Sequence, residues 1–250
     1  MTNVVRIYLT TLVVNMATGD TWRQPSSLPD TPMTEAVPSP RSYAGESPEV
    51  RQARRRRRFI DSGKTLFGTL GYRKTTMRNL CAHAGLTDRY FYESFASLED
   101  LLAAVYEELA GELEAAVLAA VRSADRQLPV EELIALGLDA FFRQAENAEM
   151  ARVIWLEVLG VSPRIDALYN GVLRRFADML LALVRMALPD WRMPDEVARV
   201  LSMGLIGAVS EATKDWLMTG YTQPRAGLVA GIGLIFEGVV GLQGGGDGGR

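Results

Sequence analysis

A single cysteine, Cys81, and a single histidine, His83, leave this 250-residue chain without a disulfide framework or the Cys/His set of a structural metal site. It has no glycine-rich nucleotide loop, nucleophile elbow or metal-ligand spacing, so no catalytic residue, no metal and no cofactor are expected. The side chains able to do directed chemistry are cationic and aromatic hydrogen-bonders. They are Arg51 and the unbroken run Arg54 to Arg58, then Arg78, then Thr87, Asp88, Arg89, Tyr90 and Tyr92. Guanidinium forks pair with phosphate oxygens and with the guanine edge, and hydroxyls reach either. The net charge of -3 hides an asymmetry that favours such a polyanionic partner: residues 48–100 carry 11 Lys and Arg against 6 Asp and Glu, residues 101–250 carry 13 against 20, and residues 1–47 carry 3 against 4.

These groups need a scaffold that presents them together, and the apolar spacing supplies one. Ile60, Gly63, Phe67 and Leu70 recur every three or four residues, as on an amphipathic helix with one stripe turned inward. Gly71 fits the left-handed residue that closes such a helix. Thr75 or Thr76 caps the next, along which Met77, Leu80, Cys81 and Ala84 share a side. Gly85 provides a tight turn, Thr87 caps a second short helix, and Phe91 and Phe95 anchor that helix from behind. Two short helices around Ala84-Gly85-Leu86, with a polar N-terminus exposed on the second, make a helix-turn-helix, the geometry that enters a major groove. Cys81 reads as a small buried hydrophobe and His83 as a surface residue. Successive helical positions point about 100° apart, so the five consecutive arginines cannot all face one phosphate strand. About half are expected to be solvated helix charge and the rest an arm that neutralises DNA phosphates.

The run from Ile60 to Leu102 carries Gly71-Tyr72, Thr75-Thr76, Ala84-Gly85-Leu86-Thr87, Phe91-Tyr92, Phe95 and Ser97-x-Glu99-Asp100-Leu101-Leu102. It resembles the DNA-binding domain of the tetracycline-repressor (TetR) family. The resemblance implies an all-α fold, with an N-terminal three-helix DNA-binding domain followed by a larger helical ligand-binding and dimerisation domain. It implies Arg78 as the bidentate partner of a guanine, and Thr87, Arg89, Tyr90 and Tyr92 at base edges or phosphates. Thr76, Arg55 and Arg58 would hold the DNA backbone. Asp88 either complements the N-terminal dipole of its helix, the favoured reading, or accepts from a cytosine amine. Two positions depart from the family pattern. Leu98 stands where members commonly carry a phosphate-contacting lysine, and Arg89 where they carry a small residue, which shifts the electrostatic contribution to the arginine arm and to Arg89 itself.

Ser97 and Asp100 resemble a capping box that starts a long helix through Leu98, Leu102, Val105, Leu109, Leu113, Ala116 and Ala120, to about Arg122. Five more helices follow: Pro129 to about Glu146, 148–160 closed by Gly160, Ser162-Pro163 to about Ala187, Pro194 to Gly220, and Pro224 to Leu242. Phe141, Phe142, Met150, Trp155, Tyr169, Phe176 and Met179 are candidates to line an apolar pocket for a small molecule, or else fill a core. Glu157 and Glu211 lie in apolar surroundings as possible polar anchors. The last helix is apolar all round, short for a membrane span and interrupted by Glu237, so burial on every side is expected. Ala226, Gly227, Ala230 and Gly231 give it a small-residue face, and the resemblance also implies a homodimer whose last two helices form a four-helix bundle. Leu201, Leu205, Val209, Trp216, Leu228, Gly231 and Ile235 are the interface candidates.

The domain boundaries expected are a disordered extension over 1–47, the DNA-binding domain over 48–96, the ligand-binding and dimerisation domain over 97–242 and a flexible tail over 243–250. The apolar run Val4 to Val14 is too short to span a bilayer, and translation from Met16 or Met33 would remove it. Together with the resemblance, which implies repression as the family's usual sign and leaves activation open, these readings lead to the expectation of a cytoplasmic homodimeric regulator, bound to an inverted-repeat DNA operator and released by a small, mostly apolar effector, with no membrane partner. A non-specific nucleic-acid binder that uses the arginine arm alone is the alternative, and a helical enzyme is a remoter one.

Overall fold

Ser47 accepts a hydrogen bond from the Val50 amide at 3.4 Å and Pro48 takes the first helical position, so α1 (Pro48–Thr69) begins just ahead of Arg51 and the run Arg54 to Arg58. The structure, a computed structural model, describes residues 47–125 and 127–241. The expectations for the N-terminal extension and the C-terminal tail lie outside those residues. Among the described residues every regular element is helical, as the apolar spacing predicts. After α1 come a single 3-10 turn (Tyr72–Lys74), α2 (Met77–Ala84) and α3 (Asp88–Tyr92). The long α4 (Leu98–Arg122) leads to α5 (Val130–Ala145), α6 (Ala148–Arg152), α7 (Pro163–Ala187), α8 (Asp195–Met218) and α9 (Arg225–Gly241).

Local chemistry sets most of these ends. Ser97 accepts from the Asp100 amide at 3.1 Å, Asn147 from Met150 at 3.1 Å, and Ser162 from Ile165 at 3.2 Å, each satisfying one orphan donor of a first helical turn. The stretch 148–160 differs from the single regular helix its sequence predicts. Only Ala148–Arg152 is α-helical, and Val153–Glu157 winds as a wider π turn. Val153, Ile154 and Trp155 are consecutive and all buried. Three successive residues span about 200° of a regular helix, and the wider turn lets the backbone present all three inward.

α1 packs on α2, α4 and α6; α4 also packs on α5 and α7; α5 packs on α9 and α7 on α8. A buried cluster runs from Phe59, Phe67, Leu80 and Phe91 through Leu101, Val105 and Leu109 to Phe142, Trp155 and Trp216 without a break. The two expected domains are thus continuous through their apolar interior, and the described residues fall in one compact unit. The last helix is covered on one side only by its own chain. Within the chain α9 buries Leu228, Ile232, Gly233 and Phe236, while Ala226, Gly227, Ala230, Gly231, Leu234 and Ile235 face outward. No helix among the described residues is long and apolar enough to cross a membrane.

Candidate nucleic-acid interface

A five-residue helix has no stability of its own, so α3 must be held by what lies behind it. Phe91, wholly buried, meets Phe59 of α1 edge to face at 5.3 Å and lies 5.6 Å from Phe95. Leu80 and Ala84 bury the inner side of α2 against the same cluster. Gly85 adopts φ +60° and ψ 39°, ending α2 in the left-handed conformation a tight turn requires. Thr76 is the cap of α2, as expected: its hydroxyl accepts from the Asn79 amide at 3.2 Å and donates to the Asn79 carboxamide oxygen at 2.8 Å. Thr87 stands at the cap position of α3 without a capping hydrogen bond from its side chain. Asp88 takes that role in part, accepting from the Arg89 amide at 2.9 Å, which favours the dipole reading of this carboxylate.

The exposed residues of α2 and α3 are largely polar. Arg78, Asn79, Thr87, Asp88, Arg89 and Tyr92 are exposed, with Arg89 85% and Tyr92 62% accessible. Arg89 lies 3.5 Å from Glu93, one turn on, a contact too solvated to fix it. Tyr90 is half-buried, and its ring lies under the Arg55 guanidinium at 4.4 Å. The tyrosine is therefore set back from the surface occupied by Arg78 and Arg89.

The arginine run divides more unevenly than helix geometry alone suggests. Arg55 also pairs with Glu93 at 3.1 Å, and Arg56 lies over the Phe95 ring at 4.7 Å. Arg57 bridges Asp61 at 2.5 Å and Glu108 of α4 at 2.7 Å. Arg58 extends across the α2–α3 turn next to Gly85. Three of the five thus fasten α1 to α3 and α4 within the protein. Lys64 adds to the seam with Glu108 at 2.5 Å and Glu112 at 2.6 Å. Burial works against the Glu108 charge, yet its contacts with Lys64 and Arg57 outweigh that and hold its pKa below the usual carboxylate value. Cys81 is half-buried, and burial, followed by the nearby Asp88 charge, pushes its thiol pKa up, away from a reactive thiolate. His83 is exposed, with Nδ1 3.0 Å from the Ser62 hydroxyl.

Residues 59–105 match the family model for bacterial regulatory proteins of the tetR family. The chain carries a tetR-family DNA-binding domain. With that domain comes the coarse function, transcriptional regulation through a DNA-binding helix-turn-helix. The whole fold resembles solved structures of such regulators. One is the fatty acid degradation regulator FadR from Bacillus halodurans, at 20% identity and TM-score 0.63, covering 82% of this chain and 100% of that one. Another is FadR from Bacillus subtilis in complex with stearoyl-CoA, at 18% identity and TM-score 0.62, covering 72% of this chain and 96% of that one. A third is a tetR-family regulator from Pectobacterium atrosepticum, at 21% identity and TM-score 0.61, covering 77% and 97%. No curated protein matches the sequence.

The candidate pocket residues are not spread evenly. Phe141 is their hub, with ring centroids 5.5 Å from Phe142, 5.8 Å from Trp155 and 6.4 Å from Phe176. Tyr169 stands apart, 6.3 Å from the buried Tyr106 and with its hydroxyl 3.4 Å from Ser210. Met179 is half-buried against the core and Met150 is buried on α6, the helix on which α1 packs. Glu211 is exposed and paired with Lys214 at 2.7 Å, whereas Glu157 is largely enclosed and bonded to Arg152 at 2.7 Å. Among the interface candidates, Leu205, Val209, Trp216 and Leu228 are buried in the chain's own core. Apolar side chains on one helix can serve an internal or an external face, and their spacing alone does not tell which. Leu201 is half-buried, while Gly231 and Ile235 lie on the open face of α9.

Proposed function

We propose that this protein is a homodimeric repressor that reads an inverted-repeat operator through Arg78, Thr87, Arg89 and Tyr92 and lets go of it when a mostly apolar molecule binds among the central helices. The observation that carries the DNA reading is the exposed polar surface of α2 and α3 set on the buried Phe59-Phe91-Phe95 cluster. Arg78 is the base reader in this proposal, and Arg58 and Arg89 supply the phosphate contacts. Arg55 and Tyr90 act behind the surface to hold α3 in place. The carboxylate of Asp88 stays with its helix dipole.

The open face of α9, where Leu234 is 70% and Ile235 48% exposed beside Gly227 and Gly231, supports dimerisation through this helix. An apolar stripe with small residues permits close approach of a second helix, and two reading heads about 34 to 36 Å apart address successive major grooves. The effector site centres on Phe141, Trp155 and Phe176. A fatty acyl chain suits such a lining, and stearoyl-CoA, present in the Bacillus subtilis FadR structure, is the first compound to try. A roughly 100-fold release requires about 2.7 kcal/mol of coupling between the two sites. The protein would act in the cytoplasm without a catalytic role.

In vitro selection from random duplexes tests the reading directly. Palindromic sites should emerge, and Leu234→Glu should yield monomers in sedimentation equilibrium and lose most of the affinity for them. Selection of no sequence above background, with salt-dependent binding to any duplex, would identify a non-specific binder instead.

A further inference from the structure

The link between α1 and α2 is held by a side chain 85 residues further along the sequence. The Tyr72 amide donates to Glu157 Oε2 at 2.7 Å. Arg152 Nε donates to Glu157 Oε1 at 2.7 Å, and its Nη1 donates to the Thr69 carbonyl at 2.9 Å, one of the orphan acceptors at the C-terminus of α1. One carboxylate and one guanidinium thus satisfy both sides of the break at Gly71. The backbone there is built around them. Gly71 has φ +91°, and a Cβ would stand 3.0 Å from the Arg152 Nη2 and from both Glu157 oxygens. A turn earlier, a Cβ on Gly68 would lie 2.6 to 2.9 Å from Glu149, so α1 and α6 meet backbone to backbone. A second strut runs from Arg73 Nη2 to the Gly160 carbonyl at 3.4 Å.

Glu157 closes the π turn, and two residues before it Trp155 sits in the aromatic cluster, 5.8 Å from Phe141. Residues two apart on a helix lie on roughly opposite sides. The same short segment therefore touches the aromatic core with one residue and the backbone leading into the helix-turn-helix with the other. A change in its winding by one residue would swing the carboxylate away from the Tyr72 amide.

We propose that Glu157 is a positioning residue for DNA recognition: its carboxylate, held by Arg152 against the Tyr72 amide, sets the pose of α2 and α3 relative to the aromatic core. The clamp touches no DNA. It acts on selectivity, because two heads must present Arg78 to two grooves at once, whereas attraction to phosphates needs only charge nearby. This rests on the operator reading proposed above, and one arm of the test is independent of it.

The experiment compares the unmodified protein with Glu157→Ala, Glu157→Gln and Gly71→Ala. Amide exchange at Tyr72 is one readout; affinity for a duplex selected by the unmodified protein, against a scrambled duplex, is the other. Glu157→Ala and Gly71→Ala should speed Tyr72 exchange at least tenfold and cut the selected-to-scrambled affinity ratio at least tenfold, with scrambled binding within twofold. Glu157→Gln keeps an amide oxygen that can accept the Tyr72 N–H and should stay within threefold of the unmodified protein in both. Circular dichroism establishes that each variant retains its helix content. Should Glu157→Ala leave the affinity ratio intact, the proposal is overturned, whatever exchange does. Equal loss on both duplexes together with lost helix content in Glu157→Ala and Gly71→Ala, and no rescue by Glu157→Gln, reduces Glu157 to a stabilising residue and overturns it too. If the unmodified protein selects no sequence, the operator reading fails, and unchanged Tyr72 exchange in Glu157→Ala removes the clamp as well.

Discussion

The head formed by α1 to α3 and the bundle formed by α5 to α9 are both built around clustered aromatic rings, but they turn opposite chemistry to the outside. Behind α3, Phe59, Phe91 and Phe95 support a surface of Arg78, Asn79, Thr87 and Arg89. Around Phe141, Phe142, Trp155 and Phe176 the bundle is closed by helices whose last member leaves Gly231, Leu234 and Ile235 uncovered. In the head the rings make a five-residue helix rigid enough to carry polar contacts. In the bundle they occupy the interior of a larger assembly whose outer face is suited to another apolar surface. The same residue type serves orientation in one place and volume in the other.

Removing the ring that holds the short helix should break this contrast most severely. Phe91→Ala leaves a large void under α3 and should cost about 3–5 kcal/mol. Because the core runs on into α4, amide exchange should rise first in 59–95 and thermal melting should follow. Melting of the bundle before the head would show that the rings of the head are not what orients α3.

A smaller effect separates the exposed arginines from those turned inward. Arg78→Ala should cost about 1–3 kcal/mol of binding to the selected duplex, relax preference at one base pair and leave the melting temperature unchanged. Arg55→Ala should do the reverse, lowering the melting temperature through loss of its contacts with Tyr90 and Glu93 and weakening selected and random duplexes alike. Titrations of both variants at two salt concentrations distinguish the two behaviours.

The smallest effect concerns the seam between α1 and α4. Glu108→Gln should cost about 1 kcal/mol, because its partners Arg57 and Lys64 are partly solvated. The folded-state pKa of Glu108 is lowered, so its contribution is present above the ordinary carboxylate value and is lost as pH falls through the lower, folded value. Asp139, where burial raises the pKa but pairing with Arg225 and Arg143 outweighs it, behaves the same way between α5 and α9. Melting temperature should therefore fall as pH drops below about 4, and Glu108→Gln should flatten part of that fall. An unchanged acid profile in the variant would remove Glu108 from the account.

Much of the head was legible because its signals are local. Thr76 and Gly85 act within a few residues of their own positions, and Phe91 and Phe95 recur four residues apart, so spacing alone suffices to place them. The arginine run was legible only as charge. Which guanidinium meets Glu93, Phe95 or Glu108 depends on elements up to 51 residues away, from Arg57 to Glu108. The wider turn at Val153 was invisible for a related reason: a regular helix and a π turn share the same apolar pattern, and the choice is made by what the neighbours leave room for.

Sequence alone therefore determined the helical class, the helix-turn-helix with its Thr76 cap and Gly85 turn, and the concentration of positive charge beside it. These rest on interactions a few residues long, which the order of side chains dictates directly. Tertiary structure alone decided that Arg55, Arg56 and Arg57 meet Tyr90, Phe95 and Glu108 of the protein itself, that Leu205, Val209, Trp216 and Leu228 belong to the chain's own core while one face of α9 stays open, and that Glu157 meets the Tyr72 amide. Each of those outcomes depends on which helices pack together, and an enclosed carboxylate or an uncovered leucine acquires its role only from the surface brought against it.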